Sequence, residues 1–384
     1  MRLAILGAVL LLLGGIAIAT GILAPADAAA LGERVWPILL FAVSITVVAE
    51  LAAEAGVFAA VAERTALASR GRAAVLWLFV IVLAVISTAF LSLDTTAVLL
   101  TPVVALVARA NGLPPLPFAL TTVWLANSAS LILPVSNLTN LLSLHALGFS
   151  DPGRFVALML VPAIIAVVVP CAVLLVVFRR PLGSRFEPGP LTPTSDRALL
   201  WIGSGVLVIL LPLLVVGIPV WIPATAAAAV LVVVFAIRSR SALRFALVPW
   251  QLVLFASGLF LVVEAGHEVG LTAVLAQAAG SGTDLGALLR LSLSGMLGAN
   301  AVDNLLAYFA LEPVAGAPVR LAALLIGVNA GSLITPWASL ATLLWHSRLQ
   351  ALGVPVPWSR YLLLGLIAAP LTVVLATVGL VLTA

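Results

Sequence analysis

The sequence predicts an all-α polytopic membrane protein made of two inverted-topology repeats, each with a re-entrant helical hairpin and a broken transmembrane helix. Three observations predict this fold: the composition, the spacing of apolar runs, and a polar segment that occurs twice. Of the 384 residues, 64% are hydrophobic and 8% are charged, which leaves too little polar surface to coat a water-soluble globule. The chain is therefore expected to fold in a lipid bilayer.

Twelve apolar runs follow one another along the chain. They lie near residues 3–23, 36–62, 73–92, 96–110, 117–147, 154–178, 198–216, 219–237, 249–278, 285–312, 319–352 and 359–383. Each approaches or exceeds the roughly 20 residues that cross the hydrocarbon as a helix. Transmembrane strands would be about half as long and would alternate polar with apolar residues. The runs therefore predict a helical bundle.

One polar segment is written twice, as NSASLILPVSNLTNLL from residue 127 and as NAGSLITPWASLATLL from residue 329, with eight of sixteen positions identical. Each copy places Asn, Ser, Thr and Pro among apolar residues, which is typical of a helix broken in mid-membrane. Because proline lacks a backbone donor and clashes with the preceding turn, Pro134 and Pro336 are expected to start the second half-helix.

Two further matches occur in the same order in both halves. Glu50 begins the segment ELAAEAG and Glu264 begins EAGHEVG, while Asp94 and Asp303 each follow an apolar stretch at the tip of a predicted hairpin. Five predicted crossings separate the first acidic helix from the second, and an odd number inverts the second copy. Inverted repeats with paired interrupted helices are the architecture in which secondary transporters build a site near the bilayer midplane.

These matches predict the domain organisation. The stretch RRPLGSRFEPGPLTPTSDR is rich in proline and arginine and is expected to be a cytoplasmic linker between the repeats. The predicted units are a first repeat at 1–178 with hairpin 73–110 and broken helix 117–147, a linker at 179–197, and a second repeat at 198–384 with hairpin 285–312 and broken helix 319–352.

All eighteen basic residues are arginines, and their placement predicts an orientation. With the N-terminus inside, the C-terminus outside and both hairpins returning to their own side, fourteen arginines lie inside. Only Arg34, Arg154, Arg290 and Arg320 lie outside, as the positive-inside rule expects. A cleaved signal peptide is the alternative for the first segment, since Ala26-Asp27-Ala28 resembles a cleavage site. Against it, the apolar run is longer than a usual signal core.

The side chains expected to bind a solute lie on the hairpin tips and the two repeated segments, where hydroxyls, amides and helix N-termini meet at the midplane. The alternative is that such residues only hold helices together. The predicted substrate-binding residues are Thr95, Thr96, Asn127, Ser130, Ser136, Asn137, Asn304, Asn329, Ser332, Thr335 and Ser339.

Four carboxylates are candidates for carrying the coupling ion, since an acid within the membrane is costly and therefore points to function. Asp94 and Asp303 rank first because they lie beside the interrupted helices, and Glu50 and Glu264 follow, with a structural role at a domain boundary as their alternative. No metal site or cofactor is expected, because the single Cys171 excludes a multi-thiolate site.

Several motif classes are absent. The sequence has no GxxxxGK[ST], GxSxG, HExxH or CxxC segment, so the chain is expected to be a membrane transporter, neither an enzyme nor an ATPase. Its arginines reflect membrane orientation, so no nucleic-acid partner is expected. The lipid bilayer is the predicted surrounding, in a bacterial-type cytoplasmic membrane.

The runs FLSLDTTAVLLTPVVALVARANG, LANSASLILPVSNLTNLL and IGVNAGSLITPWASLATLLWHSRL resemble signature segments of the arsenite/antimonite efflux permeases, the ArsB family of the ion transporter superfamily. The resemblance covers most of the chain in order. It implies inverted repeats, a transport domain that moves against a scaffold in an elevator-like alternating-access cycle, and metalloid extrusion driven by the proton gradient. Such permeases work alone or with a separate soluble ATPase. The sequence leaves open that partner and a homodimer.

The sequence departs from relatives at the hairpin tips. Leu93 stands where they usually carry Asn, and Asp303-Asn304-Leu305-Leu306 replaces an Asn-Asn-Leu-Pro run. A cation/proton antiporter of the NhaD type, coupled to protons or sodium, therefore stays open. A dicarboxylate carrier also stays open, although acids at the tips would repel a dianion. A channel or a membrane scaffold is the alternative from another class, and the duplication favours a carrier.

Overall fold

The computed structural model describes residues 2–148, 152–188 and 196–384. These residues form helices joined by turns, and within these ranges the one pairing of strand type is an isolated bridge between Arg72 and Arg185. The predicted all-α fold class is confirmed. The bridge links the residue before the first hairpin to the segment that was predicted to be the linker.

Three helices precede the first hairpin. They are α1 (Arg2–Ala19), α2 (Pro25–Glu54) and α3 (Val57–Ala68). The chain bends between α2 and α3 at Gly56, whose φ of 84° is in the left-handed region that glycine adopts without steric cost. The bend places α3 beside the hairpin that follows.

The first hairpin runs from residue 73 to residue 110. Its arms are α4 (Ala73–Leu91), followed by α5 (Leu93–Thr95), a π-helical turn (Thr96–Leu100) and α6 (Thr101–Ala110). The chain turns at Ser92, a non-glycine residue with φ of 88°. Such a conformation is uncommon outside glycine and often marks a functional segment.

The first broken helix and the helix after it complete this half. They comprise α7 (Pro115–Ser128), two 3₁₀ turns (Ala129–Leu131 and Pro134–Ser136), α8 (Leu138–Ala146), α9 (Pro152–Val177) and α10 (Arg179–Leu182). The prediction that Pro134 starts the second half-helix is wrong. Asn137 is still extended, with φ of −152° and ψ of 148°, so α8 begins after it.

The second half follows the predicted linker, of which residues 189–195 lie outside the described ranges. Its helices are α11 (Arg197–Leu213), α12 (Trp221–Arg238), 3₁₀ turns (Arg240–Ala242 and Phe245–Leu247), α13 (Trp250–Glu268), α14 (Leu271–Ala279), α15 (Leu285–Ala301), α16 (Asn304–Ala315), α17 (Pro318–Leu325), a π-helical turn (Ile326–Ala330), α18 (Leu340–Ala351) and α19 (Trp358–Thr383).

The same local devices occur in both halves. Gly270 separates α13 from α14 with φ of 98°, as Gly56 separates α2 from α3. Ser339 precedes α18 with φ of −151° and ψ of 136°, close to the values of Asn137 before α8. Pro336 therefore also lies before the half-helix and does not begin it, which corrects the prediction. The element order agrees with a duplicated unit, which remains our interpretation.

Helices from the two halves pack against each other. α1 lies along α13, α2 along α12 and α9 along α19. The α1–α13 contact is close because of glycines. A Cβ added to Gly7 would lie 2.7 Å from the Phe255 nitrogen, and one added to Gly258 would lie 2.6 Å from the Leu11 nitrogen. Small residues at such a crossing let two membrane helices approach with their backbones.

Seven helices in the described residues are long and apolar enough to cross a membrane: Pro25–Glu54, Ala73–Leu91, Leu93–Ala110, Pro152–Val177, Trp221–Arg238, Trp250–Glu268 and Trp358–Thr383. Shorter apolar helices span Ala4–Ala19, Arg197–Leu213 and Pro318–Ala330. The chain is a multi-pass membrane protein.

Several arginines make contacts near the ends of the helices. On the side predicted to be cytoplasmic, the Arg109 guanidinium donates to the Leu352 and Gly353 carbonyls at 2.6 and 3.2 Å. Here Asp196 caps α11 and pairs with Arg238 at 3.1 Å. The Leu199 N–H and the Arg238 guanidinium hold the pKa of the Asp196 carboxyl below its usual value.

On the other side, the Arg320 guanidinium donates to the carbonyls of Gly280 and Gly282, both at 2.7 Å. Arg320 is buried, whereas the sequence predicted only that it lies on the outer side of the membrane. The orientation of the chain in the membrane stays a prediction.

Candidate functional site

The two hairpin tips and the two helix breaks meet around one small cavity of about 40 Å³. Its polar lining comes in equivalent pairs from the two halves: Asp94 with Asp303, and Asn137 with Ser339. Asn304 completes the polar lining. A cavity of this size has room for water.

Four helices begin at this cavity. Leu93, Leu138, Asn304 and Leu340 all line it, and they are the first residues of α5, α8, α16 and α18. The first turn of a helix has N–H groups without intrahelical partners and carries a partial positive charge. The cavity is therefore surrounded by donors that favour an oxygen-rich solute.

The two aspartates at the cavity differ in their contacts. The Asp303 carboxylate accepts a hydrogen bond from the Leu305 N–H at 2.9 Å and so caps α16. Asp94 makes no hydrogen bond or ion pair with any residue in the described ranges. Both side chains are half-buried. Asp94 is therefore the carboxyl group whose protonation no capping interaction opposes.

A second space, a vestibule of about 330 Å³, leads to Asp94 from the side of Arg348. Glu50 from α2, Thr95 from the hairpin and Trp250 from α13 also line this vestibule. Asp94 lines both the vestibule and the small cavity. The structure thus brings together Asp94 and Glu50, two of the four predicted coupling acids, along one path.

Glu264 lies elsewhere, although its sequence context matches that of Glu50. Its carboxylate is 3.9 Å from His267 Nδ1 on the same helix, and it lines neither the vestibule nor the cavity. The two acids therefore differ in their surroundings, although their sequence contexts match. The role of Glu264 in coupling stays a prediction without a geometric argument in this conformation.

Amide groups join the two broken helices at their breaks. The Asn329 carbonyl oxygen accepts from Asn137 Nδ2 and from Thr139 Oγ1, both at 3.0 Å. The Asn329 amide nitrogen donates to Asn140 Oδ1 at 2.9 Å, and Asn140 Nδ2 donates to the Leu133 carbonyl at 3.0 Å. All four residues are buried. This network fixes the two breaks relative to each other.

Thr139 and Asn140 were missed by the sequence analysis. They lie within the first repeated segment, but Ala341 and Thr342 stand at the equivalent positions of the second segment. A search for identical polar residues in both copies therefore passes over them. A search for any asparagine or glutamine in an apolar stretch near a predicted break would have found Asn140.

Other predicted residues bond to the backbone and to their neighbours. Ser136 Oγ donates to the Ala89 carbonyl at 3.0 Å and so ties the first break to the first hairpin. Thr335 Oγ1 donates to the Asn300 carbonyl at 2.9 Å and ties the second break to the second hairpin. Thr96 Oγ1 accepts from Thr88 Oγ1 and donates to Ser87 Oγ, both at 2.9 Å, and so joins the two arms of the first hairpin. Ser130 and Ser332 bond within their own helical segments. Their contact with a solute stays a prediction.

Two predicted residues keep buried atoms without a partner in the described ranges. They are Ser339, whose hydroxyl is unpaired and lies at the small cavity, and Asn127, whose side-chain oxygen is unpaired. A buried polar atom without a partner is rare and calls for a water, an ion or a ligand. Ser339 is therefore the hydroxyl most directly available to a solute.

A charged pair on the side opposite the vestibule was also missed. Arg34 of α2 pairs with Glu312 of α16, and the Tyr308 hydroxyl donates to the same Glu312 oxygen at 3.1 Å. A recess of about 360 Å³ opens at this pair, but neither aspartate lines it. The signal in the sequence was one charge at the end of each of two apolar stretches. The pair links α2 to the second hairpin.

The chain is similar to known membrane transporters. The family model described as a citrate transporter matches residues 3–327. The arsenical pump membrane protein of Escherichia coli strain K12 is 31% identical, with 95% of this chain and 89% of that protein covered. The arsenical pump membrane protein of Yersinia enterocolitica is 30% identical, with 92% and 87% covered.

A solved structure shares the fold. The crystal structure of the YdaH transporter of Alcanivorax borkumensis, described as having an unusual topology, matches with a TM-score of 0.59. The alignment covers 99% of this chain and 96% of that one at 17% sequence identity. At this identity the likeness shows the fold alone.

Proposed function

This chain belongs to the family of the arsenical pump membrane proteins within the ion transporter superfamily, and from that membership we propose that it exports arsenite or antimonite as a proton-coupled secondary carrier. It is a membrane transporter and not an enzyme. The observation that supports the proposed site best is the convergence of equivalent residues from both halves, Asp94 with Asp303 and Asn137 with Ser339, on one cavity.

The charge balance at the cavity suits an uncharged solute. Each helix N-terminus contributes roughly half a positive charge, and four helices begin here. The carboxylates of Asp94 and Asp303 offset that charge when both are ionised. Arsenite in neutral water is mostly an uncharged trihydroxide, which needs hydrogen-bond donors and acceptors more than a countercharge. Helix N–H groups and the Ser339 hydroxyl supply them.

Coupling is assigned to Asp94. It lines the solute cavity and the vestibule at once, so it can exchange a proton with water on one side and sense the solute on the other. Glu50 in the same vestibule is the next acid along the path. Asp303, whose carboxylate caps α16, serves the site mainly by holding the second hairpin tip.

The proposed alternating-access cycle is based on a difference between the vestibule and the recess. Asp94 lines the vestibule together with Arg348, whereas neither aspartate lines the recess at the Arg34–Glu312 pair. We propose that the hairpins and broken helices move together against the helices around α2 and α13, because the amide network joins the two breaks. This elevator-like movement would carry the cavity to the opposite side.

Citrate transport is the second candidate, since the matching family model carries that description. Arg348 in the vestibule could attract a carboxylate, but Asp94 and Asp303 would repel a multiply charged anion at the cavity. A cation/proton antiporter is a third candidate. A soluble ATPase partner and a homodimer are left to biochemical assays.

Substrate choice is tested in bacteria that lack their own arsenite exporter. Expression of the chain is expected to let such cells grow at several-fold higher arsenite or antimonite concentration and to lower their metalloid content. Glu187→Gln, a change at an exposed position before residue 189, serves as a control that should behave like the wild type. Equal arsenite sensitivity with and without the protein, together with citrate uptake that depends on it, would assign the second candidate.

Orientation is tested by labelling single cysteines from each side of the membrane in a Cys171→Ser background. Arg72 and Arg154 are exposed at opposite ends of the bundle and are suitable positions. We expect a cysteine at residue 72 to react only from the cytoplasm and one at residue 154 only from outside. Reaction of residue 154 from the cytoplasm alone would overturn the proposed orientation.

A further inference from the structure

A large basic pocket lies outside the transport path, where three helix ends meet. It has a volume of about 690 Å³ and is lined by the start of α7, the end of α9 with the following α10, and the first turn of α19. Its residues include none that line the small cavity or the vestibule. The solute site therefore leaves this pocket unexplained.

The pocket presents three arginines that are unpaired with any acid among the described residues. Arg179, Arg180 and Arg360 line it, and all three are exposed. None of them forms an ion pair with a carboxylate in the part of the chain that the structure describes. The Arg360 guanidinium lies 4.9 Å from the centre of the Phe178 ring, which positions the cation while leaving its N–H groups available.

The same pocket has an apolar rim. Leu116, Val176 and Val177 line it, and Val176 is 71% exposed. Val176 and Val177 are the last residues of α9, a 26-residue apolar span. The arginines therefore lie at the depth where a bilayer changes from acyl chains to headgroups.

We propose that this pocket binds an anionic phospholipid, with its phosphodiester on the three arginines and the start of an acyl chain against Leu116 and Val176. A guanidinium offers paired N–H donors that match phosphate oxygens. Basic pockets between transmembrane helix ends commonly hold such headgroups. The lipid would join α7, α9 and α19, so it would tie together helices from both halves of the chain. This assignment is independent of the transported solute.

Binding is measured on the purified full-length protein in detergent by native mass spectrometry, with phosphatidylglycerol and phosphatidylcholine as probes. The variant Arg179→Gln/Arg180→Gln/Arg360→Gln is compared with Arg64→Gln/Arg197→Gln/Arg240→Gln, which removes the same charge at exposed positions outside the pocket. We expect the pocket variant to bind phosphatidylglycerol at least about tenfold more weakly than the wild type does. The control variant should match the wild type, and phosphatidylcholine should bind weakly to all three.

The wild-type protein gives a second readout that needs no variant. Glycerol 3-phosphate and inorganic phosphate carry an anionic phosphate group without acyl chains, and neither should displace phosphatidylglycerol at equal concentration. Displacement by either would assign the pocket to a soluble anion and overturn the lipid proposal. Equal phosphatidylglycerol binding by the pocket variant and the control variant would overturn it as well.

Discussion

The Asp94→Asn variant is expected to exchange arsenite between equal concentrations on the two sides of a membrane but to lose the ability to concentrate it. Asparagine keeps the shape and one oxygen of the side chain while removing its titration. With one proton coupled to one solute, a pH difference of one unit supports a concentration ratio of about tenfold. In the variant that ratio should fall to about one.

The reason lies in the position of this carboxyl group. Asp94 touches the solute cavity and the vestibule, and no described residue holds it in one protonation state through a hydrogen bond or an ion pair. A proton bound there in one conformation and released in the other links the two gradients. Asp303→Asn should have a different effect, weakening transport through the loss of the α16 cap.

Uphill uptake into inverted membrane vesicles, measured at several pH values, separates these outcomes. Asp27→Asn is the matched control, because this carboxylate is exposed in the first turn of α2 and should leave uptake unchanged. If Asp94→Asn accumulates arsenite like the wild type with the same pH dependence, Asp94 does not carry the coupling proton. Glu50, in the same vestibule, would then be tested next.

Removal of the Arg34–Glu312 pair is expected to shift the molecule away from the conformation described here. The pair connects α2 with the second hairpin, and the two side chains are 23% and 8% exposed. Breaking a fully buried pair costs about 3–5 kcal/mol, and the exposure of Arg34 reduces that to about 1–3 kcal/mol. This corresponds to a roughly 5- to 150-fold change in the ratio of the two conformations.

The shift is measured as the reaction rate of a cysteine at Leu344, which lines the vestibule, in a Cys171→Ser background. Arg34→Gln and Glu312→Gln should each slow this reaction, because the vestibule-open state becomes less populated. Exchange of the two charges in Arg34→Glu/Glu312→Arg should restore it in part. Arg238→Gln breaks the exposed pair with Asp196 and should change little. Unchanged labelling in all three variants at positions 34 and 312 would show that the pair does not stabilise this state.

How far the site could be predicted depends on whether its residues repeat. Asp94 with Asp303 and Asn137 with Ser339 lie at equivalent places in two similar segments, and the structure brings all four to one cavity. Asn140 and Asn300 were not predicted, because their counterparts in the other half are different residues. Asn300 accepts N–H groups from Ile334 and Thr335, so it supports the second break as Ser136 supports the first.

Two other features could not be predicted from the sequence, for physical reasons. Arg34 and Glu312 are 278 residues apart, and no local pattern indicates that they pair. Glu50 and Glu264 are equivalent by sequence, yet only Glu50 lines the vestibule. A carrier open on one side is asymmetric even when its halves are similar, so sequence symmetry alone cannot assign the role of each copy.

The central claim is that Asp94 couples proton movement to arsenite movement through the shared cavity. The most direct measurement reconstitutes the purified protein in liposomes and records arsenite flux and internal pH in the same sample. An arsenite gradient alone should drive protons in the opposite direction in the wild type, and in Asp94→Asn arsenite should move with no change of pH. Arsenite flux without proton movement in the wild type, or proton movement that persists in Asp94→Asn, would contradict the account.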